Sequence, residues 1–411
     1  MTGVRCLHPA WRVAIFLWAL ALLGVTGRVL VSPLTSQSVV PIYLQASHRW
    51  LQGQDLYAPY YLRDQPDVYR YPPGFAACFV PFTAMPPRGA AVVWRLLSAG
   101  VFLTGLGLWT RHGLGLCSVG QAAVFALAAP LVLPSLNNGQ ANLILIGLLL
   151  HGMVAAIQNR NGWAGACLAV ATSIKLYPAV VVLLLASAGR WRVLLVSGIA
   201  SAALAVVPFL LMPWTAAEHY RQFVHAEQVE NRRHGDYQDP PRDLYWVLRT
   251  YAVAPSDEVY TGIVIAAGIG MATLVAATAR RGGDPRLATV LAFDLGCVWM
   301  TVFGPATEPV TYTLLAPTAA ATVVLAWPSP SRLRFAMALA GYLLLLTPVV
   351  RDFFPGGRTF HALGPHPIGG LLILTTQVAT VVVVLLTPGP TRETVAATHG
   401  RWPRFSRHPC S

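Results

Sequence analysis

Apolar residues fill this chain in long blocks separated by short polar punctuations. Blocks near 12–32, 89–110, 117–136, 140–157, 193–213, 259–279, 287–304, 310–327, 333–350 and 368–388 approach the ~20 residues that a helix needs to cross a bilayer. Two apolar stretches depart from this pattern. Residues 162–188 are broken by Ser173–Pro178, "SIKLYP", and residues 72–87, "PPGFAACFVPFTAMPP", are short and rich in proline. One segment has helical periodicity instead: Ser38–Tyr57, "SVVPIYLQASHRWLQGQDLY". With Ser38 as N-cap, Pro41 in the first turn and Gly53 past the end, it reads as an amphipathic helix. Val40, Tyr43, Leu44, Trp50 and Leu51 share one face, on which Tyr43, Leu44, Trp50 and Leu51 can anchor the helix at the interface; Gln45, His48, Arg49 and Gln52 share the other, a wall for an outer cavity.

Basic residues orient the spans. Arg111, Gln158–Asn161, Gly189–Arg192, Ala279–Arg286, Ser331–Arg334 and Arg401–Arg407 all fall on one side if 162–188 is a hairpin of two short helices and 72–87 dips without crossing. The count is then about twelve helices in one domain over 1–391, with a basic cytoplasmic tail over 392–411 and both ends cytoplasmic. The outer side receives 33–71, Asn137–Asn142, the Lys175–Pro178 turn, 214–258, Gly304–Pro309 and 351–367. Polar elaboration on one side, with no internal repeat, points to an outward site built from loops over a helical scaffold.

Composition agrees with a cell-membrane location. The 411 residues are 55% hydrophobic and 11% charged, against about 25% charged in a soluble protein, and mean hydropathy is +0.55. The net charge of +13 belongs to cytoplasmic loops rather than to nucleic-acid binding. Six cysteines without metal-ligand spacing read as small buried hydrophobes. The first apolar block lacks a small-residue cleavage site and reads as a retained span.

Polar residues at span ends are the candidates for chemistry. Lys175 precedes Leu176, Tyr177 and the helix-ending Pro178, where it can meet an anionic headgroup as a point charge or snorkel to the interface. Asn137, Asn138, Gln140 and Asn142 surround Gly139, placed to hydrogen-bond a sugar or to cap a tight turn. Glu308 lies just ahead of Pro309, between two prolines at a span end. Asp294 lies inside a span as a packed polar group. Arg28 and Arg95 read as interface residues. The 214–258 loop mixes Arg232, Arg233, Arg242 and acidic residues with aromatics, a combination suited to carbohydrate and phosphate, or to a solvated loop. Tyr57, Tyr60, Tyr61, Tyr69 and Tyr71 fit an interfacial aromatic belt, beside Asp55, Asp64 and Asp67. No histidine pair has metal spacing, and neither a nucleotide-binding glycine fingerprint nor a nucleophile elbow is present.

Five stretches, in order, resemble glycosyltransferase family 87, the polyprenyl-phosphate-sugar enzymes of the C-type glycosyltransferase fold that include mannosyl- and arabinofuranosyltransferases. They are Ile42–Tyr57, Tyr69–Pro86 ("YRYPPGFAACFVPFTAMP"), Asn138–Leu145 ("NGQANLIL"), Ser173–Leu185 ("SIKLYPAVVVLLL") and Phe303–Thr318 ("FGPATEPVTYTLLAPT"). The resemblance implies inverting transfer of a hexose or pentose from a polyprenyl-phosphate donor to a membrane lipid or envelope glycan on the outer face, without cofactor or metal. A general base would deprotonate the acceptor and cations would stabilise the departing phosphate. Lys175, Arg232, Arg233 and Arg242 are candidates for the phosphate. His48, Arg49, Tyr71, Asn138, Gln140 and Asn142 are candidates for sugar and acceptor. The family's aspartate near the start of the first outer helix is Val39 here, which leaves Asp55, Asp64, Asp67 and Glu308 as substitute bases. A non-catalytic relative that binds lipid-linked sugar, or a transporter, are the alternative readings.

Overall fold

The computed structural model describes residues 8–36, 38–62, 65–229, 242–281, 285–304 and 307–386. It is an all-α polytopic membrane protein with one short hairpin. α1 (Pro9–Val31) leads to a polar end, where α2 (Val40–Leu51), β1 (Tyr60–Leu62), β2 (Gln65–Asp67) and α3 (Pro73–Phe79) are gathered. α4 (Pro87–Leu108) returns to the opposite, basic end, α5 (Ser118–Asn138) rises and α6 (Asn142–Ile157) returns. α7 (Asn161–Ile174) and α8 (Ala179–Ser187) follow, then α9 (Trp191–Leu211) rises to α10 (Ala216–Val229) and α11 (Leu244–Tyr251). α12 (Asp257–Arg280) returns and α13 (Pro285–Val298) rises. The 3-10 segment Pro309–Leu315 with α14 (Ala316–Ala326) returns, and α15 (Arg332–Leu345) rises to α16 (Thr347–Val350) and α17 (Gly357–Ala362). α18 (Pro365–Leu386) closes the described chain.

Specific contacts fix these directions. At the basic end, Trp11 Nε1 donates to Ser118 Oγ (2.8 Å), Arg190 to Asn159 Oδ1 (2.6 Å) and Arg286 Nε to the Gly113 carbonyl (2.6 Å). At the polar end, the Val39 amide donates to the Asn138 carbonyl (3.0 Å) and Tyr251 Oη to the Leu363 carbonyl (2.7 Å). The Arg190–Asn159 contact sets the starts of α7 and α9 side by side, so these helices run parallel and α8 turns back between them. Residues 162–188 are thus a hairpin of two short helices, as the sequence predicts. Among the described residues eight helices are long and apolar enough to cross a membrane. The shorter α6, α7, α8 and α15 pack among them.

Packing follows the rules of a lipid solvent, in which helices associate by close approach and shared hydrogen bonds. A Cβ on Gly105 would come within 2.8 Å of the Gly147 carbonyl, so α4 and α6 meet backbone to backbone. Pro130 and Pro134 interrupt the ladder of α5. Around them, Trp18, Tyr342 and Thr313 donate to the carbonyls of Phe125, Leu127 and Leu131, which ties this helix to α1, α15 and the 3-10 segment.

Several expectations are corrected. α2 is not an interfacial anchor: Tyr43, Leu44 and Trp50 are buried together with Ile42, Ala46 and Ser47, while Leu51 is exposed. Tyr43 sits edge-on to Tyr71, Phe75, Phe79 and Trp94, with centroids 5.1–6.3 Å apart, and such pairs contribute about 0.5–1.5 kcal/mol each beyond burial. Tyr57, Tyr69 and Tyr71 are likewise core residues rather than belt residues, because α3 and α10 fold over them. Amphipathic periodicity marks a covered face but does not say whether lipid or protein covers it. Cys167 and Cys297 are buried, whereas Cys78 and Cys117 are exposed.

Candidate active site

The site begins where α5 stops. Gly139 takes the left-handed conformation (φ 77°) and closes the helix through its amide to the Ser135 carbonyl (2.9 Å). A Cβ there would press on the Arg95 guanidinium and Val40, each at 3.0 Å, so the position requires glycine twice over. Arg95, on α4, is buried and donates to the carbonyls of Leu136 (2.9 Å), Asn137 (2.7 Å) and Ala91 (2.9 Å) and to Ser38 Oγ (3.1 Å). A cation at a helix C-terminus satisfies orphan carbonyls and the macrodipole together. Trp94 Nε1 donates to the Gly139 carbonyl (2.8 Å), and Ser38 Oγ accepts from the Val40 amide (3.3 Å). The start of α2, including Val39, is thereby locked against the Asn137–Asn142 turn.

From this turn a chain of side chains crosses the polar end. Lys175 Nζ donates to Asn142 Oδ1 (2.9 Å), Asn142 Nδ2 to Gln140 Oε1 (2.6 Å), and Gln140 Nε2 to Glu308 Oε2 (3.0 Å). Lys175 is in place because α7 ends at Ile174, where the lysine backbone turns extended (φ −146°, ψ 143°). Its ammonium lies 5.2 Å from the ring centroid of Tyr71 and 5.5 Å from that of Tyr177, close enough for cation–π attraction. Tyr71 and Tyr43 share a 2.7 Å hydroxyl hydrogen bond. Burial raises Tyr71 to about 12, and only in part does the Tyr43 hydrogen bond oppose this, so both phenols stay neutral. Asn142 is fully buried; Lys175 and Glu308 are half-buried. The Asn138 side-chain oxygen is buried without a hydrogen-bond partner.

A second cluster adjoins the first through residues 307–312. The Arg242 amide donates to the Thr307 carbonyl, and Tyr312 Oη to the Arg242 carbonyl (2.7 Å). The buried Arg242 guanidinium stacks 4.7 Å from the Trp246 ring, and Asp243 caps α11 at the Trp246 amide (3.0 Å). Trp246 in turn presses on Gly364 (φ 66°), where a Cβ would come within 2.3 Å of its ring. That turn brings His361 and His366 together, with ring centroids 5.1 Å apart. His366 is fully buried, and neither of its ring nitrogens has a partner. Burial, with Arg351 and Arg242 nearby, depresses His361 to about 4.

The structure therefore brings together Tyr71, Asn138, Gln140, Asn142, Lys175 and Glu308, with Arg242 alongside. It does not gather the other candidates. Arg49 donates to the carbonyls of Ala58 and Pro59 and so staples a loop. His48 is exposed near the far end of α2, roughly 13 Å along the helix from Val39. Asp55 accepts from the Tyr57 amide in an exposed turn (2.9 Å), and Asp67 pairs with Arg70 (2.8 Å). Asp64, Arg232 and Arg233 lie outside the described residues. Among the described residues no three His, Cys, Asp or Glu side chains converge as a metal site. Arg95, Tyr43, Tyr177, His361 and His366 are additions that sequence reasoning missed. The available signal was the placement of both histidines in the polar stretch 351–367.

Two crystal structures of ArnT from Cupriavidus metallidurans align with 89% of this chain and 76% of theirs. The one bound to undecaprenyl phosphate has 16% identity and a TM-score of 0.43, and the apo structure 14% and 0.42. No curated protein sequence matches the chain. Residues 69–305, more than half of the chain, match the profile of glycosyltransferase family 87 and include three of the five stretches noted above. The chain belongs to glycosyltransferase family 87.

Proposed function

We propose that this family member transfers a hexose or pentose from a polyprenyl-phosphate donor to a membrane lipid or envelope glycan acceptor. In this reading the polar end faces the outer side of the cell membrane, and both termini are cytoplasmic. The observation that carries the proposal is the pairing of opposite chemistries at one end: the Glu308 carboxylate and the Lys175 ammonium, joined by Gln140 and Asn142. Inverting transfer needs both. Glu308 takes the proton of the acceptor hydroxyl as its oxygen attacks the anomeric carbon. The bond from that carbon to the phosphate oxygen breaks, and the lipid phosphate leaves with the electron pair. Lys175 and Arg242 stabilise the charge that develops, with the His366 ring nitrogens as further contacts and Arg232 and Arg233 as candidates by sequence alone.

Among the four candidate carboxylates Glu308 has the strongest support, since Asp55 and Asp67 are engaged in local turns. The unpartnered Asn138 oxygen suits a sugar or acceptor hydroxyl, and Tyr71 offers an aromatic face. The outward orientation is supported by the basic connections gathered at the opposite end. One observation favours a second reading: Val39, in the position of the family's acid, abuts the same turn, as it would in a relative that binds lipid-linked sugar without transferring it. Purified protein in lipid vesicles, given radiolabelled polyprenyl-phosphate sugars and membrane lipid acceptors, separates the two. Label in a new lipid or glycan product supports transfer. Saturable donor binding with no product from any donor supports the binding-only reading.

A further inference from the structure

We propose that Asn142 and Gln140 are positioning residues that carry the donor polarity of Lys175 to Glu308 and hold that carboxylate in its ionised form. The proposal deepens the transfer reading above and rests on it. A glutamine beside a glutamate is ambiguous by itself. A protonated carboxyl can donate to the amide oxygen, or an ionised carboxylate can accept from the amide nitrogen. The lysine two links away removes the ambiguity. An ammonium only donates, so Asn142 must turn its oxygen toward Lys175. Tyr177 Oη, at 3.5 Å, occupies the same oxygen.

The Asn142 amide nitrogen is thereby directed the other way, to Gln140 Oε1 at 2.6 Å and to the Val310 carbonyl at 3.4 Å. Asn142 is fully buried, so water offers it no alternative. Gln140, having committed its oxygen, has only N–H to present to Glu308. Every link then points from lysine to glutamate, and hydrogen bonding to the charged form of a carboxylate favours that form. A base must be ionised to act, so the relay selects the competent state. The links span 33 residues between Asn142 and Lys175 and 168 between Gln140 and Glu308, so they exist only in the assembled bundle.

The test is Asn142→Asp, which keeps the shape of residue 142 and its acceptor for Lys175 but removes its N–H. Gln140 must then turn its own N–H toward residue 142 and its oxygen toward Glu308, which favours the protonated acid. The acidic limb of the kcat/KM pH profile should rise by about one pH unit. The Glu308 carboxylate band, assigned by its loss in Glu308→Gln, should titrate upward by a similar amount in isotope-edited infrared spectra. Gln140→Ala, at a half-buried site less exposed to folding failure, should move both in the same direction by less. Lys175→Arg keeps a donor and should leave the limb in place. An unmoved limb and band in both Asn142→Asp and Gln140→Ala would overturn the relay, whatever happens to kcat. Absence of product from the wild-type protein would overturn the transfer reading instead, while the infrared titration still reads the relay.

Discussion

The Asn137–Asn142 turn and the His361–His366 turn lie at the same end of the bundle, and both bury polar side chains. They differ in how those groups are satisfied. In the first, Arg95 spends its guanidinium on four acceptors, Asn142 uses both ends of its amide, and Gln140 joins Asn142 to Glu308; the Asn138 oxygen is the exception. In the second, both His366 ring nitrogens, His361 Nδ1 and Trp246 Nε1 are buried without partners. An unsatisfied buried polar group costs about 1–3 kcal/mol. The turn hydrogen-bonded to Glu308 largely avoids this cost and the other bears it, a contrast that fits two separate tasks. In the proposed reading the first turn is preorganised to orient a base, and the second holds polar groups that a charged ligand would complete.

The largest expected effect falls on the preorganised side. Glu308→Gln should lower the transfer rate by about 10²–10⁴-fold, the range of a lost general base, with donor affinity nearly unchanged in a parallel binding assay. A matching loss of donor binding would move Glu308 out of the base role. Lys175→Met should weaken donor binding by roughly 10–100-fold, the worth of a charged hydrogen bond. Affinity equal to wild type would remove the phosphate contact.

Smaller effects sharpen the contrast. Arg95→Met removes the Arg95 hydrogen bonds to the Leu136 and Asn137 carbonyls and should destabilise the fold by about 2 kcal/mol, read as a lower melting temperature, without altering donor preference. His366→Phe keeps the ring volume and removes both orphan nitrogens. If the second turn receives the phosphate, donor affinity should fall by about 5–10-fold while the protein becomes more stable; a gain in stability alone would make His366 a packing residue. The smallest effect is a pH dependence. His361 is depressed to about 4, whereas an exposed histidine titrates near ~6.5. The unfolded chain therefore binds the extra proton first, and the stability contributed by neutral His361 is complete above about 6.5 and lost as pH falls toward 4. His361→Phe should flatten the decline in melting temperature across that window.

Much of the scaffold was legible because its signals are local. Apolar block length, basic punctuation and the Lys175–Pro178 break sufficed for the spans, their common side and the 162–188 hairpin. Lys175, Gln140, Asn142 and Glu308 were each readable as polar groups at span ends. Their partnership was not, since it depends on α6, the α7–α8 turn and the 307–312 segment meeting in space. Arg95 reads as an interface residue because a sequence shows an arginine in an apolar helix, not the helix end it caps. The histidines carry no ligand spacing and passed unnoticed. Tyr43 and Trp50 read as anchors from the sequence because periodicity cannot distinguish a lipid surface from a protein lid. Val39 was recognised as a departure, and its backbone contact to Asn138 explains why that change falls inside the site.

The central claim, a single displacement driven by Glu308, is tested most directly by the stereochemistry of one turnover. A polyprenyl-phosphate sugar of defined anomeric configuration is incubated with the purified protein and acceptor, and the product linkage is read by NMR. The account predicts inversion at the anomeric carbon. Retention would contradict it, because it requires a second displacement that a lone base cannot supply.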